Sequence, residues 1–158
     1  GKENKPVEFG MKVHMNQTGG VNIIEHASFD NFNECKRLKI SIVKHKHRFG
    51  DCSHISADRI YATNENRRYV TAKGIHTNFD KKGPVKDDKA TQRMKQALNG
   101  ARSAYMEGSF GNEKNHYGLR KIKALSLKTE LVWLFFGVMT ANAVRISKMA
   151  RDNLAKAA

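Results

Sequence analysis

Hydrophobic and polar residues alternate near the start of the chain. Over residues 6–17 the alternation has the period of a half-buried β-strand, with apolar positions at Val7, Phe9, Met11, Val13 and Met15. Gly19 and Gly20 follow, and residues 21–25 resume a short apolar run. Since paired glycines accept the positive φ angles of tight turns, the pattern predicts a β-hairpin. A lone hairpin is marginally stable in water, so we expect a further layer against it.

Helical spacing replaces this alternation further along. Phe32, Cys35, Leu38, Ile42 and Val43 recur at intervals typical of one helix face. Ser28 or Asp30 would cap the start of this helix, Phe49-Gly50 would end it, and its outer face would be basic.

A strand, a short helix and a second strand are predicted next. Residues 52–57 and 75–79 are short and apolar, whereas the segment between them begins at a capping Thr63 and ends at Lys73-Gly74. This order is typical of a parallel βαβ unit.

The remainder is predicted to be helical after a basic loop. Residues 80–88 contain Lys81 and Lys82 and few apolar side chains, which indicates a loop. A helix is expected over residues 89–117, although its three glycines each cost about 1 kcal/mol relative to alanine; they are Gly100, Gly108 and Gly111.

A last helix is expected over residues 130–154, capped by Ser126 or Thr129. Its apolar run at residues 131–139 is far shorter than the ~20 residues that span a bilayer, so we predict a buried helix and no membrane. Trp133 and Tyr117 could stack on nucleic-acid bases, but Trp133 lies in the apolar stripe and is expected in the core.

The net charge of the chain is the strongest indication of its binding partner. The 158 residues, enough for one compact unit, include 29 Lys and Arg against 15 Asp and Glu, a formal charge of +14. Such an excess resists compaction unless a polyanion binds, and its spread through the chain favours a folded surface that contacts phosphates. Nucleic acid is therefore the expected partner, and Arg67 and Arg68 are candidate contacts, although the alternative is a solvated face.

The two cysteines, Cys35 and Cys52, are too few for a disulfide framework and lack the spacing of a zinc site. We expect reduced thiols in a cytoplasmic protein. The chain begins Gly-Lys-Glu without a signal-peptide pattern, and we expect it to be a piece of a longer protein.

Two carboxylates are the candidates for catalysis. Glu107 precedes Lys114 by seven residues, so a helix would place an acid and a cation on one face. Asp58 follows the predicted strand at residues 52–57, where strands of open α/β sheets carry their sites. Two such acids could bind divalent metal ions for phosphodiester chemistry. The alternative is that Glu107 is a solvated helix residue and Asp58 a turn former.

Four segments resemble the bacterial insertion-sequence transposases of the DDE class, and the likeness runs nearly end to end. They are Val7-Glu8-Phe9-Gly10, Ala57-Asp58-Arg-Ile-Tyr-Ala-Thr-Asn-Glu-Asn66-Arg67-Arg68, Met106-Glu107-Gly-Ser-Phe-Gly-Asn-Glu-Lys114-Asn-His-Tyr117-Gly118-Leu119 and Phe136-Gly-Val-Met-Thr-Ala-Asn-Ala143-Val144. The resemblance implies an α/β fold: the carboxyl-terminal part of an RNase H-like catalytic domain, with a β-hairpin, further strands and flanking helices.

In that family three acids hold two Mg²⁺ (or Mn²⁺) ions, and the third acid belongs to a Glu-x₆-Lys signature. The resemblance assigns the second acid to Asp58, the third to Glu107 and the signature lysine to Lys114. The first acid and the first strand that carries it have no counterpart here, because the family places them well before the Val7-Glu8-Phe9-Gly10 segment. The earlier aspartates, Asp30 and Asp51, are interpreted as cap or turn residues. Arg102 precedes Glu107 by five residues, whereas the family has four.

The implied function is phosphodiester cleavage and strand transfer at the ends of a mobile DNA element. DNA contacts are expected from Lys114, Arg67, Arg68, Arg102, Lys81 and Lys82. The full-length protein would be nucleoid-associated and a homo-oligomer, and this chain alone would be inactive. Two alternatives remain: a catalytically silent, basic nucleic-acid-binding remnant, and a basic RNA-binding structural protein.

Overall fold

The computed structural model describes residues 10–84, 87–124 and 126–157. Within them the protein is a mixed α/β structure, as predicted, with two separate two-stranded sheets. The strands are β1 (Lys12–Thr18), β2 (Val21–Ser28), β3 (His54–Ile55) and β4 (His76–Thr77). The α-helices are α1 (Arg37–Phe49), α2 (Asn64–Ala72), α3 (Lys89–Ala101), α4 (Gly108–His116) and α5 (Leu127–Ala157).

The predicted hairpin is confirmed. Strands β1 and β2 pair antiparallel, and Gly19 (φ 57°) and Gly20 (φ 82°) form the turn between them. Two residues with positive φ give a turn whose twist matches that of the strands. The part of the predicted strand before Gly10 lies outside the described residues.

The prediction that the apolar positions of β1 face the protein interior is wrong. His14 is its buried residue, with 6% of its surface exposed, whereas Val13 and Met15 are only half-buried. The pairing register shifts between His14 and Met15, where β2 has an extra residue. Such a bulge twists the pair and turns side chains towards new neighbours, and His14 here gains Glu25.

The predicted parallel βαβ unit is confirmed. Strands β3 and β4 pair in parallel on either side of α2, whose Thr63 cap accepts a hydrogen bond from the Asn66 backbone N–H at 3.2 Å. Each strand pairs over only two residues, fewer than the pattern predicted. The main hydrophobic core lies between this unit and α1, and it consists of Leu38, Ile42, Val70, Ile75 and Phe79.

Helix α1 begins later than predicted because β2 continues to Ser28. The Ser28 hydroxyl closes a turn by accepting from the Asp30 N–H at 3.0 Å, and Asn33 caps a short 3₁₀ turn that leads into α1. The two cysteines are free, as expected.

The long helix predicted for residues 89–117 is present as α3 and α4, joined by a π-helical segment at Arg102–Glu107. Asp88 caps its start. The helix continues through all three of its glycines, and a Cβ added at any of them would meet no atom within 4 Å.

Helix α5 is far more exposed than predicted. Leu134, Val138 and Asn142 form a buried stripe, whereas Trp133 is 43% exposed and Phe136 62% exposed. The predictions of a buried helix and of Trp133 in the core are therefore wrong, because the described elements cover α5 on one side only. Residues Leu127–Lys156 are also long and apolar enough to cross a bilayer, a test that core helices of soluble proteins pass too.

A buried polar cluster centred on Asn22 attaches the hairpin to α4 and α5. The Asn142 amide bonds both the N–H (2.9 Å) and the C=O (2.7 Å) of Asn22, much as a neighbouring strand would. The Asn22 side chain donates to Glu113, which is 2% exposed, and to Ser109, each at 2.5 Å. Burial raises the pKa of Glu113, although the hydrogen bond from Asn22 opposes the shift.

On its other face the hairpin is attached to α1 by a buried carboxylate. Glu25, whose side chain is fully buried, accepts two hydrogen bonds from Arg37 (2.6 and 2.8 Å) and one from Lys44 (2.7 Å). His14 Nδ1 lies 3.1 Å from Glu25 Oε2 but outside hydrogen-bond geometry. Burial lowers the pKa of His14, which is therefore neutral at pH 7.

We predict that Asn22→Ala lowers the free energy of unfolding by about 2 kcal/mol, because it leaves the buried Glu113 without its donor. Urea denaturation would measure the loss. The matched control is Asn112→Ala, an exposed residue of the same helix as Glu113. Equal stability of the two variants would contradict the prediction.

A second prediction concerns the stability of the protein at low pH. Burial would raise the pKa of Glu25, but Arg37 and Lys44 lower it from 4.5 to about 2. A carboxyl group with a lowered folded-state pKa stabilises the fold fully above pH 4.5 and loses that contribution as the pH falls towards 2. At about 1.4 kcal/mol per pKa unit, wild type should lose about 3 kcal/mol over this range, measured by urea denaturation at each pH.

Glu25→Gln should be less stable than wild type at pH 7 and lack this acid-dependent loss. Asp152→Asn, an exposed control, should follow the wild-type profile. If the stability of Glu25→Gln falls with pH in parallel with that of wild type, then Glu25 is not the source of the acid-dependent loss.

Candidate active-site cleft

Asp58 lies where the sequence placed it, just after β3. Its carboxylate accepts a hydrogen bond from the Arg59 backbone N–H at 2.5 Å and caps a 3₁₀ turn at Arg59–Tyr61. The side chain is exposed. Asp58 thus serves as a turn former, as the alternative held, and still presents carboxylate oxygen to solvent.

Glu107 ends the π-helical segment and is held by residues of that same segment. Arg102 forms an ion pair with it at 3.0 Å, and the Ser103 hydroxyl donates to it at 3.3 Å. In a π-helix the backbone bonds run from i to i+5, so one more residue fits into each turn. The five-residue spacing of Arg102 and Glu107 therefore gives the contact that four residues give in an α-helix.

Asp58 and Arg102 both line a cleft of about 950 Å³. The strand β1 and the segment of residues 54–58 that includes β3 also contribute to its lining. Tyr105 and Arg145 belong to the lining too, and the guanidinium of Arg145 stacks on Tyr105 at 5.6 Å. Glu107 does not line the cleft itself; Arg102 connects it to the lining.

Lys114 is exposed on α4, two helical turns beyond Glu107. The intervening Gly108 and Gly111 leave open space beside the acid. The adjacent Glu113 faces the opposite way, into the Asn22 cluster. The attachment of Glu113 to the hairpin therefore fixes which side of α4 carries Glu107 and Lys114.

The other predicted phosphate contacts differ in whether their side chains are already bonded within the fold. The Arg67 guanidinium donates to the carbonyls of Ala62 and Asp80 and stacks on Phe79 at 5.6 Å, so it supports the fold. Lys81 pairs with Asp87 at 3.3 Å. Arg68 and Lys82 are exposed.

A second cavity, of about 850 Å³, borders α5. Trp133, Tyr117 and Phe136 line it together with Lys123 and Lys128. Aromatic rings beside cations suit stacked bases and their phosphates.

Within the described ranges, no three His, Cys, Asp or Glu side chains gather into a metal-binding group. Asp58 and Glu107 carry the ligand type that Mg²⁺ prefers, since that ion is commonly held by one or two carboxylates together with waters and a substrate phosphate. They do not form a closed cage for a metal pair.

Sequence patterns missed Asn22, Glu25, Glu113 and Asn142, which are polar side chains buried by tertiary contacts. One signal was present, since Asn142 interrupts the apolar stripe of α5. Asp30 lies in the turn after β2, as interpreted, whereas Asp51 follows α1 and pairs with Lys46 at 2.8 Å.

No protein-family model, curated protein or solved structure matches the chain.

We predict that the charge and the capping role of Asp58 can be separated. Asp58→Asn should retain the cap and lie within about 0.5 kcal/mol of wild type, whereas Asp58→Ala should lose about 1 kcal/mol. Thermal and urea unfolding would measure both. If Asp58→Asn is as unstable as Asp58→Ala, then the negative charge and not the cap supports the fold.

Proposed function

We propose that this chain is the carboxyl-terminal part of an RNase H-like catalytic domain of the DDE transposase class. In this proposal it acts on DNA, in cleavage and strand transfer at the ends of a mobile element. The observation that supports it most is the shared cleft: Asp58 lines it, and Arg102 in the same lining holds Glu107 at 3.0 Å. In this proposal the two acids, far apart in sequence, belong to one site.

The order of elements also supports the proposal. A hairpin and a helix precede β3, which Asp58 follows by three residues, and a further helix and strand precede the long helix that carries Glu107. This agrees with the hairpin, further strands and flanking helices expected for a partial RNase H-like domain.

Each residue of the site has a physical role in this proposal. Asp58 and Glu107 would hold a divalent cation, which when bound would supply charge stabilisation at a scissile phosphate. Lys114 lies on the same helix surface as Glu107 and would contact the phosphate backbone beside the two glycines. Arg102 holds the Glu107 carboxylate in position and neutralises it while no cation is bound.

The basic charge supports DNA as the substrate. A protein of formal charge +14 is expected to bind polyanions with steep salt dependence, because each neutralised phosphate releases counterions. The exposed Arg68, Lys82 and Lys114 are available for such contacts. Trp133 and Tyr117, with Lys123 and Lys128 nearby, would add stacking for an unpaired strand.

We predict that Mg²⁺ or Mn²⁺ raises the melting temperature of wild type more than that of Asp58→Asn. A ligand that binds only the folded state stabilises it by about 1.4 kcal/mol at tenfold its Kd. Asp152→Asn removes an exposed carboxylate far along α5 and serves as the control for general cation effects. Equal shifts in all three proteins would eliminate the metal site.

The second candidate function is a catalytically silent module that binds nucleic acid by charge. It is favoured by the ion pair of Glu107 with Arg102, which already satisfies that carboxylate. In that case DNA binding would persist unchanged in chelator and in Asp58→Asn, and neither ion would shift the melting temperature differentially. A structural RNA-binding protein would in addition show no preference for transposon-end DNA.

A further inference from the structure

A pair of histidines lies on the outer face of the small parallel sheet. His54 of β3 and His76 of β4 are direct partners in the pairing register, and the His76 backbone N–H donates to the Ser53 carbonyl at 2.9 Å. Ile55, the next residue of β3, packs against the main hydrophobic core. Since side chains of a strand alternate between its faces, the two histidines face away from that core, and both are exposed.

The two imidazole rings lie at a separation that suits a shared metal ion. Their centroids are 5.0 Å apart, and the ring planes make an angle of 28°. Zn²⁺ binds imidazole nitrogen at about 2.0–2.1 Å, so two rings on one tetrahedral ion have centroids about 5 Å apart. The backbone pairing therefore already sets the required distance, and rotation of the side chains is enough to direct two nitrogens at one ion.

A neighbouring hydroxyl selects the ring nitrogen of His54 that would bind the metal. His54 Nδ1 lies 2.9 Å from the Ser53 hydroxyl oxygen. When Nδ1 carries the proton and donates it to that oxygen, Nε2 has a free lone pair. Metal-binding histidines commonly donate their second ring N–H to an oxygen, which fixes the tautomer and the ring orientation. Ser53 is thus a positioning residue for Nε2 of His54.

The nearest acid and thiol in sequence are engaged elsewhere. Asp51 forms an ion pair with Lys46 at 2.8 Å. Cys52 packs against the main hydrophobic core, and burial raises the pKa of its thiol, whereas the thiolate is the form that binds metals. A site of two histidines leaves the other coordination positions to water, which suits an exchangeable ion and not a closed structural centre.

We propose that His54 and His76 together bind one divalent transition-metal ion. Imidazole suits Zn²⁺, Ni²⁺ and Cu²⁺. The ion would link β3 to β4, whose pairing spans only two residues, and would thereby stabilise the βαβ unit. Mg²⁺ prefers oxygen ligands, so this site differs in chemistry from the one proposed at Asp58 and does not depend on it.

The test adds Zn²⁺, or Mg²⁺ as the control ion, to the whole chain without an affinity tag. His76→Phe keeps an aromatic ring beside His54 and removes the nitrogen ligands, so it separates metal binding from ring stacking. His47→Asn removes an exposed imidazole of α1 and is the matched control. Thermal unfolding and the ¹⁵N chemical shifts of the imidazole nitrogens are the readouts.

Zn²⁺ at ten times its Kd should lower the unfolding equilibrium constant of wild type about tenfold. His47→Asn and Asp58→Asn should show the same effect, whereas His76→Phe should lose it. Mg²⁺ should not reproduce it in any of these proteins. Equal effects of Zn²⁺ on wild type and His76→Phe, or equal effects of Zn²⁺ and Mg²⁺ on wild type, would overturn the proposal.

The chemical shifts give an independent measurement on wild type, which decides the question even if His76→Phe fails to fold. Zn²⁺ should shift the Nε2 signal of His54 and one ring-nitrogen signal of His76, and it should leave His45 and His47 unchanged. Shifts confined to other histidines, or spread equally over all of them, would show adventitious binding only and would eliminate the site.

Discussion

The attachment of the hairpin to the helices through Asn22 is the constraint on which the rest of the structure depends. The main hydrophobic core covers α1 and the βαβ unit and does not extend to α4 or α5. The contacts that join those helices to the hairpin include a buried polar set: two hydrogen bonds between the Asn142 amide and the Asn22 backbone, and the bonds from the Asn22 side chain to Glu113 and Ser109. Polar groups buried this deeply have no water to replace a lost partner, so the arrangement tolerates little displacement.

The position of Glu107 follows from that attachment. Glu113 is six residues beyond Glu107 on one continuous helix, and its burial against the hairpin determines which surface the preceding turns expose. The π-helical segment also affects the Glu107 side chain, because it brings Arg102 into contact with Glu107 at a five-residue spacing. A local irregularity of the helix and a distant hydrogen bond together orient the candidate acid.

The position of Asp58 depends on the βαβ unit. Asp58 follows β3 by three residues, and β3 pairs with β4 alone among the described residues. Asp58 lines the same cleft as residues of β1, so both sheets contribute to the candidate site.

Local pattern determined the elements of this protein. Alternation and the Gly19-Gly20 pair predicted the hairpin, and capping residues with helical spacing predicted α2 and the long helix that carries Glu107 and Lys114, because these depend on neighbours within a few residues. Tertiary structure decided what local pattern could not: that His14 and not Val13 turns inward at a bulge, that Trp133 and most of α5 stay exposed, and that Glu25, Glu113 and Asn142 are buried. Burial of a polar side chain depends on a partner that the chain brings close from far away, such as Asn142 to Asn22 across 120 residues, and no pattern of nearby residues contains that information.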